Sequence, residues 1–163
     1  MLFRMLVVGL LLMISCRGDY RKAQWHYNAV IVRYNEIVDV SERLERGFSD
    51  TASYRAVNEK MDSIEMLLGK LQLTLDTLSL PDEDDRVKVA MSSWVNTMKE
   101  QVCPHYQQKI DVWKMLHIQQ NTKDIMRIKQ LTIHLEEKKT KLNEELTSVL
   151  EEFVEDYKLS YRP

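Results

Sequence analysis

Apolar residues recur alternately three and four positions apart along most of this chain, the spacing that gathers them on one face of a helix. Four segments carry the pattern. The first, about 19–46, reads Tyr20, Ala23, Tyr27, Val30, Tyr34, Ile37 and Leu44, with Ser41 in one slot and Ile31 and Val38 widening the stripe. A stripe of that width suits a bundle helix better than a narrow two-stranded seam. Gly47 is expected as its C-terminal cap, with Ser49, Asp50 or Thr51 capping the next helix.

The second segment, about 51–78, repeats the step through Tyr54, Val57, Met61, Ile64, Leu68, Leu71, Leu75 and Leu78. Its end, LQLTLDTLSL, also alternates with period two over Leu71, Leu73 and Leu75, as a strand would. Every other segment is helical, so a strand there would lack a partner, and helix is the better reading. Pro81 and the acids Asp82, Glu83, Asp84 and Asp85 then suit the first turn of a third helix, about 82–118. Its stripe runs from Val87 to Leu116 with Pro104 inside it, where a proline costs about 3 kcal/mol and bends the axis. A bend or break is expected between Val102 and His105. The fourth helix, about 122–157, carries Ile125, Ile128, Leu131, Leu135, Leu142, Leu146, Val149 and Phe153. EEKKTK, Glu136 to Lys141, interrupts this face and reads as a solvated stretch in which Glu137 and Lys141 can pair.

Short connections make consecutive helices antiparallel neighbours. The expected fold is all-α: an antiparallel up-down-up-down four-helix bundle with the third helix kinked near Pro104. Helices of roughly 28 to 37 residues are about 40–55 Å long, and the last two outrun the first two, so the bundle ends need not be flush.

Ahead of these helices stands MLFRMLVVGLLLMISC, Met1 to Cys16. Met5 to Ile14 is apolar throughout and follows Arg4. About 20 apolar residues are needed to span a bilayer, so the run is too short and fits the core of a secretory signal peptide, 1–15. Met13-Ile14-Ser15-Cys16 resembles a bacterial lipobox. That resemblance implies cleavage before Cys16 and lipidation of its thiol, with acyl chains, palmitate among them, holding residues 16–163 to the membrane. Each buried methylene contributes about 0.8 kcal/mol, and two or three chains anchor stably where one does not. Arg17 follows in place of aspartate, so by the same resemblance the inner-membrane retention signal is missing and the outer membrane of the bacterial envelope is favoured. Arg17-Gly18-Asp19 spells an adhesion tripeptide. Directly after a lipidated residue it would reach only about 10 Å from the headgroups, and coincidence is the better reading.

Composition closes several routes. The 163 residues suit one domain, four glycines and three prolines leave little punctuation for strands, and a net charge of −2 gives no general pull on nucleic acid. With Cys16 modified, Cys103 has no internal disulfide partner. The histidines, His26, His105, His117 and His134, never fall three or four apart, and no Glu-x-x-His motif occurs. Neither a helical metal face nor a di-iron bundle is expected. Phosphate loops and nucleophile elbows are absent from the sequence, so neither catalysis nor a cofactor is expected. Cys103-Pro104-His105 is the one local pairing of reactive groups, and a partly buried thiol beside a kink is its simpler reading. Trp25 lies off the stripe of its helix and is a candidate contact for headgroups or a partner.

The stretch YNAVIVRYNEIV, Tyr27 to Val38, with the LSLPDEDD link, resembles small bacterial surface lipoproteins of unassigned activity over about Trp25 to Trp113. The likeness implies envelope placement and brings no catalytic residues. The leading expectation is a lipid-anchored bundle that binds or makes structural contact with a protein partner. The alternative is a ligand-binding or sensor bundle with a pocket near Pro104. Third comes an enzyme using Cys103 and His105. A partner-binder exposes apolar or aromatic surface, whereas a pocket protein holds a cavity with a few convergent polar groups.

Overall fold

The computed structural model describes residues 2–49, 53–78, 84–119 and 122–159, leaving aside the side chains of 2–19, 49, 117 and 119. All regular structure among these residues is helical: α1 (Leu2–Ser49), α2 (Tyr54–Thr77), α3 (Arg86–Thr97), a π turn (Met98–Val102), α4 (Cys103–Gln119) and α5 (Thr122–Asp156). Because α3, the π turn and α4 are contiguous, the chain forms four helical rods.

The stripes read from the sequence form the core. Tyr27, Val30, Ile37 and Leu44 of α1 are buried, as are Val57 to Leu75 of α2 at the expected positions. In the ambiguous LQLTLDTLSL stretch Leu71 and Leu75 are fully buried while Leu73 is 66% exposed, the signature of a helix and not of a strand. On α5, Leu135, Leu142, Leu146 and Phe153 are buried, joined by Leu150 and, beyond the helix, Leu159.

Several expected boundaries are corrected. Gly47 is not a helix cap. No glycine among the described residues has positive φ, and α1 runs on to Ser49. Gly47 faces α2, where an added Cβ would stand 3.4 Å from Val57 Cγ2, so its small size serves close helix approach. The cap of α2 is Ser53, whose Oγ accepts the Ala56 N–H at 3.3 Å; Ser49 belongs to α1, and Asp50 and Thr51 lie outside the described residues. Backbone helix extends to Leu2, well before the expected start near Asp19, because the apolar leader contains no residue that stops a helix. The lipobox-like Cys16 and the Arg17-Gly18-Asp19 tripeptide lie on α1 with their side chains outside the described ones. Among the described residues, no helix is long and apolar enough to cross a membrane.

The third rod starts at Arg86, not near Asp82, and no acid occupies its first turn. Pro81, Asp82 and Glu83 fall outside the described residues. Asp84 instead grips the arginine that opens the helix: its carboxylate accepts from Arg86 Nε at 3.0 Å and from Nη2 at 2.7 Å. Arg86 Nη1 reaches Asp156 at the end of α5, also at 2.7 Å. Hydrogen bonds from Arg86 hold the Asp84 carboxyl below its usual range.

Around Pro104 the rod is continuous. The irregularity lies one turn earlier, where the Cys103 N–H bonds the Met98 carbonyl five residues back. Proline lacks an N–H and its ring crowds the carbonyl a turn behind it, so a wider turn there relieves the clash. It also corrects the stripe. Trp94, Met98, Val102, Tyr106 and Ile110 succeed one another in steps of four, which would drift about 40° per step around a regular helix. The extra residue in the π turn brings them back to the core, where all five are buried.

Packing pairs α1 with α2, α2 with both halves of the third rod, and α5 with α3 and α4. Along α5 the contacts Arg86–Asp156, Trp94–Asn143, Lys138–Gln101 and His105–His134 descend in number on one rod as they rise on the other. The expected Glu137–Lys141 pair does not form. Lys141 approaches Glu145 at 3.9 Å, while Lys139 pairs with Glu136 at 3.3 Å. By contrast the backbones of α1 and α5 come close at few points or none.

The helical reading of Leu71 to Leu80 makes a direct prediction. Leu75→Ala should cost about 2–5 kcal/mol of stability, and Leu73→Ala less than about 0.5 kcal/mol. Urea unfolding of the two variants measures both, and comparable losses would return the segment to the strand reading.

Candidate functional site

A concavity in two stretches lies between α1 and α5. Its first stretch, of about 380 Å³, lies between Tyr27, Ile31 and Tyr34 on α1 and Leu150 and Val154 on α5. One turn further along, a second stretch of about 440 Å³ is lined by Ile37, Ser41 and Glu45 on one side and Lys139 and Asn143 on the other. The same two helices thus wall an apolar half and a more polar half.

Trp94 of α3 forms part of the floor of the second stretch. Its indole N–H donates to Asn143 Oδ1 on α5 at 3.1 Å, and the Tyr34 ring of α1 meets it edge-on with centroids 5.1 Å apart. Such an aromatic pair is worth about 0.5–1.5 kcal/mol beyond its buried area. The wall residues come from helical spacing: Tyr27, Ile31 and Tyr34 rise along one face of α1, and Leu150 and Val154 are successive turns of α5.

Beneath the polar half lies an ion pair whose cation is buried and whose carboxylate is partly exposed. Lys109 of α4, only 3% exposed, holds Glu45 Oε2 at 2.5 Å, and its ammonium sits 4.4 Å from the centre of the Phe48 ring. Oε1 of Glu45 and the hydroxyl of the fully buried Tyr106 have no hydrogen-bond partner. Burial, reinforced by the negative charge of Glu45, raises the Tyr106 pKa well above that of an exposed phenol and keeps it protonated. His26, also buried with Nδ1 unpartnered, has its pKa lowered by burial and by nearby Lys22, which favours the neutral ring.

The structure separates the residues that the sequence had placed together. Cys103 and His105 stand two positions apart on a helix and point to different sides. Cys103 is buried, and that burial, with Glu65 nearby, pushes its thiol up to about 12. Such a thiol is a poor nucleophile near neutrality. His105 faces α5: its Nδ1 is 2.5 Å from the Gln101 carbonyl, and its ring lies 4.9 Å from that of His134. This cross-helix histidine pair was invisible to a search for spacing along one helix. Two imidazoles fall short of the ligand set of a structural zinc, and no group of three or more metal-ligating side chains occurs among the described residues. Neither stretch of groove is lined by Cys103, Pro104 or His105.

Two exposed surfaces complete the inventory. Trp25 is 63% exposed and meets His26 edge-on at 5.2 Å. At the other end of α1, contacts Phe48–Trp113 and Lys114–Tyr54 mark the last level shared with α1 and α2. Beyond it α4 and α5 expose Met115, Ile118, Ile125 and Met126. Comparison of the chain with protein-family models, with curated proteins and with solved structures finds no match. The geometry alone therefore carries the functional reading.

Removing the cation from the pair leaves Glu45 without its neutralising partner. Lys109→Met should cost about 3 kcal/mol, and adding Glu45→Leu should recover most of the loss. Urea unfolding of the single and double variants tests this; an unrecovered double variant would place the contribution in the Lys109 stem and not in its charge.

Proposed function

We propose that this chain is a lipid-anchored domain of the bacterial envelope that acts by binding a protein partner along the α1–α5 groove. In this reading the helices form an antiparallel up-down-up-down bundle, the third bending at Pro104, and Cys16 carries the acyl chains. The order of the α3–α5 and α4–α5 pairs supports the topology. The observation that carries the functional reading is the open seam itself. Two stretches of groove lie in line, lined by aromatic and aliphatic side chains. Tyr34, Val38 and Val154 stay partly exposed along it beside buried Tyr27, Ile31 and Leu150, and a concavity of that kind supports a contact site.

A small-molecule site is the weaker reading, because ligands of that size favour pockets that bury most of their surface, and this groove is long and unroofed. The apolar end formed by Ile118, Ile125 and Met126 supports partner contact in the same sense. Catalysis has no place in the proposal, since Cys103 and His105 do not meet and the thiol is strongly disfavoured as thiolate.

The anchor and the contact are tested separately. The chain should take up labelled palmitate and partition with membranes, and Cys16→Ser should abolish both; an unchanged Cys16→Ser protein would remove the anchor. A photo-crosslinking residue at Asn35 or Glu151, both in the groove lining, should capture the same discrete protein in the cell that makes the chain. The same probe at exposed Val89 or Glu100 should capture none. Equal capture from all four positions, or no capture in the groove, would sink the partner-binding reading.

A further inference from the structure

We infer that the outer face of α1 carrying Arg21, Lys22 and Trp25 seats in the anionic headgroups of the membrane that holds the chain, and that the bundle leans on that face. This rests on the Cys16 anchor proposed above and goes beyond it by fixing how the anchored bundle is oriented.

Exposure comes first. Trp25 is 63% exposed, although tryptophan is among the side chains most drawn into the core. Ala23, His26 and Tyr27 around it are buried, so the indole stands on the side of α1 turned away from the other helices. Arg21, one turn earlier, shares that face, and Lys22 flanks it; both are exposed. Val32, two turns further on, is also exposed. The buried His26 ring meets the indole edge-on with centroids 5.2 Å apart. A rigid ring with an apolar body and one polar N–H is the kind of side chain that bilayer interfaces collect.

Charge selects the surface. From Tyr20 to Asn35 the sequence holds Arg21, Lys22 and Arg33 and no acid, while Asp19 just ahead is offset by Arg17. Arg33 is taken by Glu36, which leaves the two cations beside Trp25. The acids at this end of the bundle stand on other helices: Glu151, Glu152 and Glu155 of α5 are all exposed. An anionic surface attracts the α1 face and repels α5.

Height sets the lean. Trp25 is nine positions beyond Cys16, about 14 Å along a helix axis. A headgroup layer is about 5–8 Å deep, so an upright α1 carries the indole clear of it. A lean towards the Trp25 side lowers the indole and both cations into the layer. The other helices lie behind α1 and rise, and the α5 acids rise with them.

Intrinsic fluorescence reads the seat, because Trp94 and Trp113 are buried and Trp25 is not. The full chain is floated on vesicles and titrated with acrylamide. On phosphatidylglycerol vesicles quenching should fall to that of the Trp25→Phe chain, and brominated phosphatidylglycerol should quench the Trp25 emission. On phosphatidylcholine vesicles acrylamide should quench as it does in solution. Arg21→Glu with Lys22→Glu should restore that quenching on phosphatidylglycerol, and an unfolding midpoint equal to that of the unaltered chain confirms the fold. Val89 of α3 is exposed on another rod. Val89→Trp, made in the Trp25→Phe chain, should stay open to acrylamide on both kinds of vesicle.

Equal quenching on the two kinds of vesicle, shielding that survives charge reversal, or equal shielding at positions 89 and 25 would overturn the inference. So would a photo-crosslinking residue in place of Trp25 that captures a protein in the cell, since a partner would then cover this face. Palmitate uptake at Cys16 without shielding of Trp25 sinks the seat and leaves the anchor standing. Neither uptake nor partition with membranes sinks the anchor, and the seat with it.

Discussion

The indole of Trp94 reaches side chains on both walls of the seam between α1 and α5. Its edge-on contact with Tyr34 ties it to α1, and its N–H bond to Asn143 ties it to α5. A large aromatic on the intervening rod fills space that two smaller side chains would leave for α1 and α5 to close over. Protein interiors are packed to crystal-like density, so a side chain of this volume fixes the spacing of whatever packs around it. Trp94 thereby does two things at once. It supplies core burial for α3, and it stands between the α1 and α5 residues that line the second stretch of groove.

The same logic explains why α1 stays in place with one flank uncovered. Its long contact is with α2, aided by Gly47 at their close approach. On the other side long side chains reach it: Trp94 to Tyr34, Lys109 to Glu45 and Phe48, Trp113 to Phe48. These are tethers across the middle of the bundle in place of a zipped helix–helix interface. The Lys109–Glu45 pair is costly to desolvate and adds little net stability, but it is specific, because misplacing either residue strands a charge. Such a pair fixes the register of α1 against α4 more strictly than aliphatic contacts would.

The helices themselves were legible in the sequence because the physics that makes them is local. Burial of Leu71 and Leu75 with Leu73 outside follows directly from a stripe at steps of three and four. The ends were less legible. Gly47 was read as a cap because glycine is common there, yet its neighbour across the interface, Val57, decided its role. Ser53 caps α2, two to four residues beyond the equally cap-like Ser49, Asp50 and Thr51, and composition alone does not choose among them. Asp84 was read as helix-dipole charge and instead grips Arg86. The π turn had a signal that was available: Trp94, Met98, Val102, Tyr106 and Ile110 fall in unbroken steps of four just where a proline follows. The groove had none. Which seam of a four-helix protein stays open depends on side-chain volumes brought together from three rods, and periodicity along one rod carries no information about that. The His105–His134 pair was hidden for the same reason.

Because α1 is at once the proposed anchor and one wall of the groove, it sets where a partner must be. With Cys16 lipidated, ten residues lie between the lipidated position and Tyr27, where the groove begins. Along a continuous helix that distance is about 16 Å. The apolar half of the groove then lies close to the headgroups, and the exposed indole of Trp25 lies between them. The polar half and the apolar tip of α4 and α5 point away from the membrane. A segment entering the groove would therefore run from the membrane surface outward, parallel to α1. A partner that itself lies at the same membrane, or is tethered to it, meets this geometry at high effective concentration. In the proposed reading α1 would carry both anchor and groove wall, so shortening the helix between Cys16 and Tyr27 would bring the groove into the headgroups and lengthening it would lift the groove away.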